Sequence, residues 1–325
     1  MEKKMLGNTK IAVSELSFGT LILGWLQADM TPEAAVPAIQ KACELGINFF
    51  DTAQSYRTQA HLREGLGQNM NKVVIATKTH AKTCRDAELA FAESLKELGR
   101  DYIDIYEFHL IENKADLENR AEVLNYLLGL KAKGLIRAIG ASVHRVEAAK
   151  AIVEHPEMDI LFPVFNAQGL GIIDGTAADM QAVCKTAKER GMGVYAMKPL
   201  AGGHLRENPK EAFDFIRNTQ TIDSICTGMK SAAEVEMNVR LFEGDTVSKD
   251  ILAEVATESR KLRIYERCIG CGACVETCDQ GALSLDETKA DEATGKKGQS
   301  VVDHSKCILC GYCAEVCPEF TIRII

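Results

Sequence analysis

The feature that most constrains this chain is a cysteine repeat near its C-terminus. The pattern C-x₂-C-x₂-C-x₃-C occurs twice, with an offset of 39 residues, in a chain of 325 residues. Cysteines clustered at this spacing indicate metal or redox chemistry rather than a disulfide framework. Eight of the twelve cysteines belong to the repeat: Cys268, Cys271, Cys274, Cys278, Cys307, Cys310, Cys313 and Cys317.

The repeat resembles that of bacterial two-cluster ferredoxins, in which the fourth cysteine of each quartet ligates the other cluster. Three thiolates in a tight loop can cap three corners of one cubane, so the fourth ligand must come from elsewhere in the fold. We therefore expect a small α+β ferredoxin-like domain at residues 261–325 that holds two [4Fe–4S] clusters. The predicted ligands are Cys268, Cys271, Cys274 and Cys317 for one cluster, and Cys307, Cys310, Cys313 and Cys278 for the other.

A structural zinc site is a weaker interpretation of the repeat. A structural zinc ribbon uses four cysteines in two pairs, not eight in two quartets. Asp279 stands where the second half has Pro318, but this difference removes no ligand. The remaining cysteines have no ligand spacing and are expected to be small buried hydrophobes; they are Cys43, Cys84, Cys184 and Cys226.

Residues 1–260 alternate short β-branched runs with amphipathic stretches, which predicts a parallel sheet with helical crossovers. Eight such units in about 240 residues favour a closed (β/α)₈ TIM barrel. Lys4–Val13 is predicted to form a hairpin at the barrel bottom. The predicted strands are Leu16–Gly19, Asn48–Asp51, Val73–Thr77, Ile103–Phe108, Ala138–Ala141, Leu161–Phe165, Gly193–Met197 and Ser224–Thr227. The predicted helices are Thr31–Leu45, Asp86–Leu98, Leu117–Lys133, Val146–Val153, Ala178–Arg190 and Ala232–Leu241.

Charge and hydropathy exclude some classes of partner. The net charge of −8 and the sequence pI of about 5.5 argue against nucleic acid or an anionic membrane surface as a partner. No apolar run reaches the roughly 20 residues of a membrane helix. The charged N-terminus lacks the apolar segment of a secretory signal, so we expect a cytoplasmic protein.

Four polar residues follow the first predicted strands in order: Asp51, Tyr56, Lys78 and His109. Taken singly, they could be a helix cap, a packed phenol, a solvated charge and a loop histidine. Barrel active sites, however, are built at the C-terminal ends of the strands. Together the four resemble the catalytic tetrad of the aldo-keto reductases. The resemblance covers roughly residues 3–245, including LGNTKIAVSELSFGT and GMKSAAEVEMN.

The resemblance implies an NAD(P)-dependent oxidoreductase that reduces an aldehyde or ketone, or oxidises the alcohol. Tyr56 would be the general acid/base. A free tyrosine has a pKa of about 10, and the Lys78 ammonium would lower it. Asp51 would hold Lys78, and His109 would orient the carbonyl of the small-molecule substrate.

The resemblance also places NADP(H) or NAD(H) at the barrel mouth, without a Rossmann glycine motif. Some residues depart from the family pattern: Met197 and Phe162 near the nicotinamide, and Glu234 where an arginine often binds a 2′-phosphate. Arg57 and His80 are candidates for the pocket entrance, and Trp25 for its wall. The expected cofactor contacts are Gly19, Thr20, Ser142, Asn166, Lys198, Leu200, Gly202, Gly228, Lys230, Ser231 and Asn238.

The two domains leave several functions open. Hydride transfer moves two electrons together whereas a cluster moves one, and nothing in the sequence identifies a flavin. One hypothesis is a barrel enzyme whose clusters serve electron transfer to an external carrier, redox sensing or structure. The alternative is an iron–sulfur electron-transfer or redox-sensing protein that uses the barrel as a nicotinamide-binding scaffold. A third is a non-enzymatic redox-sensing interaction module.

Overall fold

A hairpin opens the chain and a closed barrel follows it. The computed structural model describes residues 1–256, 260–292, 294–319 and 321–324, so residue 325 of the predicted C-terminal domain lies outside the described part. Strand β1 (Lys3–Met5) pairs antiparallel with β2 (Ala12–Ser14). Eight parallel strands then close into the predicted barrel. They are β3 (Leu16–Gly19), β4 (Phe49–Asp51), β5 (Val74–Thr79), β6 (Ile103–Phe108), β7 (Ile136–Val143), β8 (Ile160–Pro163), β9 (Gly193–Met197) and β10 (Ser224–Gly228).

Helices connect the strands and cover the outside of the barrel. Several begin at a hydroxyl cap: Thr31, Thr83 and Thr176 each accept a hydrogen bond from a backbone N–H of the first turn. Among the described residues, no helix has the length and apolar character needed to cross a lipid bilayer. The helices are α1 (Pro32–Glu44), α2 (Gln59–Leu66), α3 (Cys84–Leu98), α4 (Lys114–Asn119), α5 (Ala121–Ala132), α6 (Val146–Glu154), α7 (Ala177–Glu189), α8 (Pro209–Asn218), α9 (Ala232–Glu243) and α10 (Lys249–Ala256).

The hairpin closes one end of the barrel, as predicted. Leu6, Ile11 and Val13 are fully buried and join the core inside the barrel. A Cβ on Gly7 would lie 2.3 Å from the backbone nitrogen of Gly193, the first residue of β9. The hairpin therefore packs tightly at the N-terminal ends of the strands, and the opposite end is left for the functional site.

The cysteine-rich module is built from two small antiparallel sheets. One pairs β11 (Leu262–Ile264) with β14 (Ile322–Ile324), and the other pairs β12 (Leu283–Asp286) with β13 (Gln299–Val302). A 3₁₀ turn, Glu287–Lys289, directly follows β12. The short helices α11 (Ala273–Glu276) and α12 (Tyr312–Glu315) occupy equivalent places in the two cysteine quartets.

Some helices differ from the sequence prediction. The single helix predicted over Leu117–Lys133 is two helices that meet at Arg120. The Arg120 guanidinium binds the carboxylate of Asp116 at 2.9 Å and helps to hold this break. Apolar residues continue at helical spacing across the break, so periodicity does not detect it. Helices α2, α8 and α10 were not predicted.

The second cysteine loop, residues 307–313, packs on the open end of the barrel. Gln27 Nε2 donates a hydrogen bond to the carbonyl oxygen of Leu309, at 2.8 Å. His204 Nε2 donates to the carbonyl oxygen of Cys307, also at 2.8 Å. A Cβ on Gly202 would lie 2.3 Å from the carbonyl oxygen of Ile308. The module therefore rests directly on the loops that follow β3 and β9.

The Gly202 contact gives a test of this interface. Gly202→Ala should displace the 307–313 loop, because the added methyl meets backbone that cannot move aside independently. Gly203→Ala is the matched control: both glycines have positive φ (67° and 101°), but a Cβ on Gly203 meets nothing within 4 Å. Hydrogen exchange of the full-length holoprotein should show faster exchange at 307–313 only in the Gly202 variant. Equal exchange in both variants would contradict the packing.

Candidate active site at the barrel mouth

The four tetrad candidates meet at one end of the barrel. Asp51 is the last residue of β4, Lys78 lies in β5, and His109 directly follows β6. Tyr56 closes a 3₁₀ turn, Gln54–Tyr56, that begins just after β4. All four side chains are buried, with exposed fractions of 6% or less. The shared direction of the parallel strands thus brings together residues that are 58 positions apart in sequence.

Lys78 is the centre of the site. Its ammonium donates hydrogen bonds to the Asp51 carboxylate and, at 2.9 Å, to the carbonyl oxygen of Thr52. The ammonium also lies 4.9 Å from the ring centroid of Phe162 and 5.7 Å from that of Tyr56. An ammonium removed from water must be stabilised by other polar or aromatic groups. Here a carboxylate, a carbonyl oxygen and two aromatic faces stabilise it.

Tyr56 and His109 face each other at long hydrogen-bonding distance. The Tyr56 hydroxyl lies 3.5 Å from His109 Nε2, and the Ser55 hydroxyl lies 3.3 Å from His109 Nδ1. Burial lowers the pKa of His109 well below its ordinary value, and neighbouring cationic groups such as Lys78 lower it further. The imidazole is therefore neutral at physiological pH. If Ser55 donates to Nδ1, then Nε2 carries the proton and faces the pocket.

The pKa of Tyr56 is raised in the structure, whereas the sequence analysis expected Lys78 to lower it. Burial raises it well above its ordinary value, and the Tyr312 phenol and the Asp51 carboxylate raise it further. The Lys78 ammonium is committed to Asp51 and does not overcome these effects. Tyr56 is therefore a protonated phenol over the neutral pH range, which is the form that a proton donor requires.

Sequence reasoning missed two buried residues of this network, Glu107 and Tyr195. The Tyr195 hydroxyl lies 3.1 Å from Asp51 Oδ2 and 2.9 Å from Glu107 Oε1. Burial raises the pKa of Glu107 to about 8, although Lys78, 3.8 Å away, lowers it. Protonated Glu107 can donate to Tyr195 while Tyr195 donates to Asp51. An acid inside the buried strand IDIYEF, two residues before His109, was the available signal.

Four of the residues predicted to contact the cofactor, Gly19, Thr20, Ser142 and Asn166, pack against or bond other protein groups. Thr20 Oγ1 donates to the carbonyl oxygen of Asp51 at 3.0 Å, and Ser142 Oγ accepts from the backbone N–H of Leu110 at 2.9 Å. Asn166 is fully buried, and its amide bonds the backbone of its own loop and the carbonyl oxygen of Lys198. Gly19 is close-packed, since a Cβ there would lie 3.0 Å from Cys226 Sγ. Thr20, Ser142 and Asn166 thus brace the mouth of the barrel.

The loop after β9 runs between the barrel mouth and the module. Lys198 Nζ lies 3.2 Å from His144 Nε2, and burial lowers the pKa of this lysine. Leu200 packs against the outer core of the barrel. The next residues reach the module, because Gly202 contacts Ile308. The loop that carries the cofactor-contact candidates Lys198, Leu200 and Gly202 therefore supports the second cysteine loop.

The start of α9 carries the candidate nucleotide contacts. Ser231 caps this helix by accepting from the backbone N–H of Glu234. The Glu234 carboxylate in turn accepts from the backbone N–H of Lys230, at 2.7 Å, and pairs with Arg260. Gly228 ends β10 just before this segment. Asn238 is buried, and its Oδ1 has no hydrogen-bond partner within the described part of the chain. This unsatisfied buried acceptor lies in the second turn of α9 and fits a ligand that carries an N–H donor, such as an adenine amino group.

Cysteines of the two quartets lie close to one another. Cys268, Cys271, Cys274 and Cys317 line one small cavity, although Cys317 comes from the other quartet. Ser300 Oγ lies 3.1 Å from Cys274 Sγ, and the backbone N–H of Thr321 donates to Cys317 Sγ at 3.3 Å. Burial raises the pKa of the Cys313 thiol, and its cysteine neighbours raise it further; they are Cys310, Cys307, Cys274 and Cys278. Four convergent sulfurs with hydrogen-bond donors around them fit the thiolate shell of a cubane cluster.

The module contributes a side chain to the barrel site. The Tyr312 hydroxyl lies 3.5 Å from His109 Nε2, and the Tyr312 ring lies 6.4 Å from that of His144. His80 stacks on the His109 ring at 4.1 Å. No sequence pattern pointed to Tyr312, which is embedded between two cysteines of the repeat.

Arg57, expected at the pocket entrance, packs on Trp25, which was expected in the pocket wall. Trp25 Nε1 donates to the carbonyl oxygen of Ser55 at 2.8 Å. The guanidinium of Arg57 lies 4.8 Å from the Trp25 ring centroid, and Arg57 is exposed. Trp25 thus supports the turn that carries Ser55 and Tyr56.

Comparisons with known proteins agree with this arrangement. The profile of the aldo/keto reductase family matches residues 15–258, and that of a 4Fe-4S dicluster domain matches residues 267–320. The chain belongs to the aldo/keto reductase family. It is an oxidoreductase of this family with a C-terminal iron–sulfur domain.

Individual relatives of this aldo/keto reductase are distant. It is 26% identical over 300 residues to L-galactose dehydrogenase of Arabidopsis thaliana, covering 78% of this chain and 93% of that protein. It is 28% identical over 234 residues to the NADH-specific methylglyoxal reductase of Escherichia coli (strain K12), covering 63% and 69%. An aldo-keto reductase structure from Bacillus halodurans superposes with a TM-score of 0.64 at 22% identity, over 79% and 96% of the two chains. This structural similarity, at 22% sequence identity, shows a shared fold alone.

The buried Glu107 predicts a pH-dependent stability. Its pKa is raised from 4.5 to about 8 in the folded chain. Between these values the unfolded chain is ionised at this position and the folded chain is not, so stability falls as the pH rises. Glu107→Gln removes this titration. The melting temperature of the variant relative to wild type should rise by several degrees between about pH 5 and about pH 8.5.

Glu88→Gln, an exposed change on α3, is the control and should show no comparable trend. A melting-temperature difference for Glu107→Gln that does not change with pH would contradict the assignment of a protonated acid.

Proposed function

We propose that this protein reduces an aldehyde or ketone with NAD(P)H, or oxidises the corresponding alcohol, at the barrel mouth. One observation carries the proposal: the Tyr56 phenol, the Asp51–Lys78 pair and the neutral His109 converge at the C-terminal ends of β4 to β6. Reduction of a carbonyl requires a proton for the developing alkoxide and a donor that holds the oxygen in place.

Each tetrad residue has a role that follows from its surroundings. Tyr56 donates the proton, because burial keeps its phenol protonated. His109 donates a hydrogen bond from Nε2 to the same oxygen. Lys78 places a fixed positive charge beside the Tyr56 ring and stabilises the tyrosinate that remains after proton transfer. Asp51 holds Lys78, the Tyr195 hydroxyl bonds the same carboxylate, and Glu107 in turn bonds Tyr195.

The nicotinamide nucleotide would supply the hydride when bound. The residues that would hold it are those of the barrel mouth and of the α9 start, with Asn238 Oδ1 as a free acceptor for the adenine. Glu234 occupies the helix start with Arg260 as its partner, and this acid favours the 2′-hydroxyl of NAD(H) over the 2′-phosphate of NADP(H). The substrate would be a small carbonyl compound or alcohol, since the NADH-specific methylglyoxal reductase relative also bears a name of this class.

The module would hold two [4Fe–4S] clusters. We assign Cys268, Cys271, Cys274 and Cys317 to one, and Cys307, Cys310, Cys313 and Cys278 to the other, with the module beginning at residue 261. Cysteines remain free thiols in a reducing compartment, which favours a cytoplasmic location for this protein. The contact between the 307–313 loop and the barrel mouth favours a second role, in which the clusters exchange electrons with an external carrier or sense redox state beside the nucleotide site.

Removing the Tyr56 hydroxyl tests the catalytic proposal. Tyr56→Phe should lower kcat for carbonyl reduction by about 10²–10⁴-fold, because the proton donor is lost. Nucleotide binding should be nearly unchanged. Tyr102→Phe is the control, since Tyr102 precedes β6 at the opposite end of the barrel. Unchanged turnover in Tyr56→Phe, measured by anaerobic steady-state kinetics, would disprove the role of this phenol.

Single alanine substitutions test the crossed ligand sets. Cys317→Ala and Cys271→Ala should abolish the same cluster signal in electron paramagnetic resonance of the reduced protein, with loss of roughly half of the iron. Cys278→Ala and Cys310→Ala should abolish the other signal. Cys184→Ala, a buried cysteine of α7, should retain both. If Cys317→Ala matches Cys310→Ala instead, each quartet binds its own cluster.

A further inference from the structure

A residue of the iron–sulfur module lies inside the barrel's candidate active site. Tyr312 begins α12 and is only partly exposed. Its hydroxyl approaches His109 Nε2 at 3.5 Å, and its ring is tilted against His144. The module thus places a side chain in contact with the tetrad residue His109.

Two phenols flank one imidazole nitrogen. The hydroxyls of Tyr56 and Tyr312 each lie 3.5 Å from His109 Nε2, so they are at most 7.0 Å apart. Both contacts are longer than the roughly 2.7–3.2 Å of a good hydrogen bond. Within the part of the chain that the structure describes, the Tyr312 hydroxyl has no closer polar partner. Its hydrogen-bonding capacity is therefore only weakly used within the protein.

We propose that Tyr312 is a specificity-determining residue that hydrogen-bonds a second oxygen of the substrate. The substrate class is a carbonyl compound that bears a hydroxyl or a second carbonyl oxygen on the adjacent carbon. The carbonyl oxygen to be reduced sits between Tyr56 and His109, and the neighbouring oxygen meets Tyr312. This inference rests on the proposed function for the role of Tyr56, but not for the binding contact of Tyr312.

The position of Tyr312 is fixed well enough for such a contact. Its loop is held to the barrel on both sides, by Gln27 bonded to Leu309 and by His204 bonded to Cys307. Gly311 packs against Leu26, since a Cβ on this glycine would lie 3.0 Å from Leu26 Cβ. A hydroxyl on a loop anchored in this way loses little conformational entropy when it binds a ligand.

The surrounding groups favour a polar neighbour on the substrate over an apolar one. His80, His109 and His144 line this side of the site, and the ammonium of Lys198 lies behind His144 at 3.2 Å. A substrate that placed a methyl group here would leave the Tyr312 hydroxyl without a partner. An oxygen in the same place satisfies it.

Two ketones of the same shape can distinguish a substrate that places an oxygen beside the Tyr312 hydroxyl from one that places a methyl group there. Hydroxyacetone and butanone have similar shapes, but only hydroxyacetone carries an oxygen beside the carbonyl. We would measure the Kd of each for the anaerobic full-length holoprotein by calorimetry, and kcat/KM for each ketone that is turned over. Wild type should prefer hydroxyacetone by about 10-fold, as expected for one well-placed neutral hydrogen bond. Tyr312→Phe should bring the ratio close to one.

Three further variants make the result decisive. Tyr312→Gln keeps a hydrogen-bond donor and should restore part of the preference. Tyr265→Phe, another tyrosine of the module, is the matched control and should keep the wild-type ratio. Iron content and hydrogen exchange at 307–313 show whether the module stays in place. The same ratio in a Tyr56→Phe background separates binding from catalysis.

Each result of the ketone-binding experiment either supports or contradicts the proposed contact of Tyr312. Loss of the preference in Tyr312→Phe, with full iron content, supports the proposal. A wild type without preference for hydroxyacetone, or an equal preference in Tyr312→Phe, overturns it. If Tyr56→Phe turns over ketones like wild type but the binding ratio still depends on Tyr312, the proposed function fails and the Tyr312 contact stands.

Discussion

The buried ammonium of Lys78 is the constraint on which the site depends. A charge removed from water is stable only if its surroundings compensate it. Here the Asp51 carboxylate, the Thr52 carbonyl and the Phe162 face enclose it. Phe162 stacks on Tyr195 at 3.8 Å, and Tyr195 bonds the same carboxylate, so the layer below Lys78 is rigid. One compensated cation therefore orders the barrel interior as well as the reacting face.

The fold was predictable from sequence because the barrel repeats one simple pattern. Every barrel strand contains only buried residues apart from a few at its ends, so apolar β-branched runs identify it directly. The prediction of helices failed where tertiary contacts, and not the local sequence pattern, determine the structure. The break at Arg120 depends on a guanidinium held by Asp116, and nothing in the apolar spacing records it. Helix α2 carries Gln59 and His61 on its buried side, which hides its apolar face.

The site was predictable only in part, for a different physical reason. The tetrad candidates follow successive strands, and the geometry of a parallel barrel makes that order informative. The pKa direction of Tyr56 was not predictable, since it depends on how deeply the phenol is buried and on where Lys78 is already committed. Tyr312 lies 203 residues from His109, and only docking of the module places them together. A contact that forms only when two domains pack together produces no local sequence pattern from which it could be predicted.

The conformation of the second cysteine loop, residues 307–313, depends both on the barrel and on the proposed cluster. Its backbone rests on Gln27, Gly202 and His204 of the barrel, while on the proposed assignment its three thiolates hold a cluster. A short loop of this kind takes its shape from the metal that it binds. The contact between Tyr312 and His109 would thus form only after iron and sulfide have been inserted. On this proposal, assembly of the cluster and completion of the candidate site would be a single event, and a cell short of iron would make a barrel that is folded but lacks this contact.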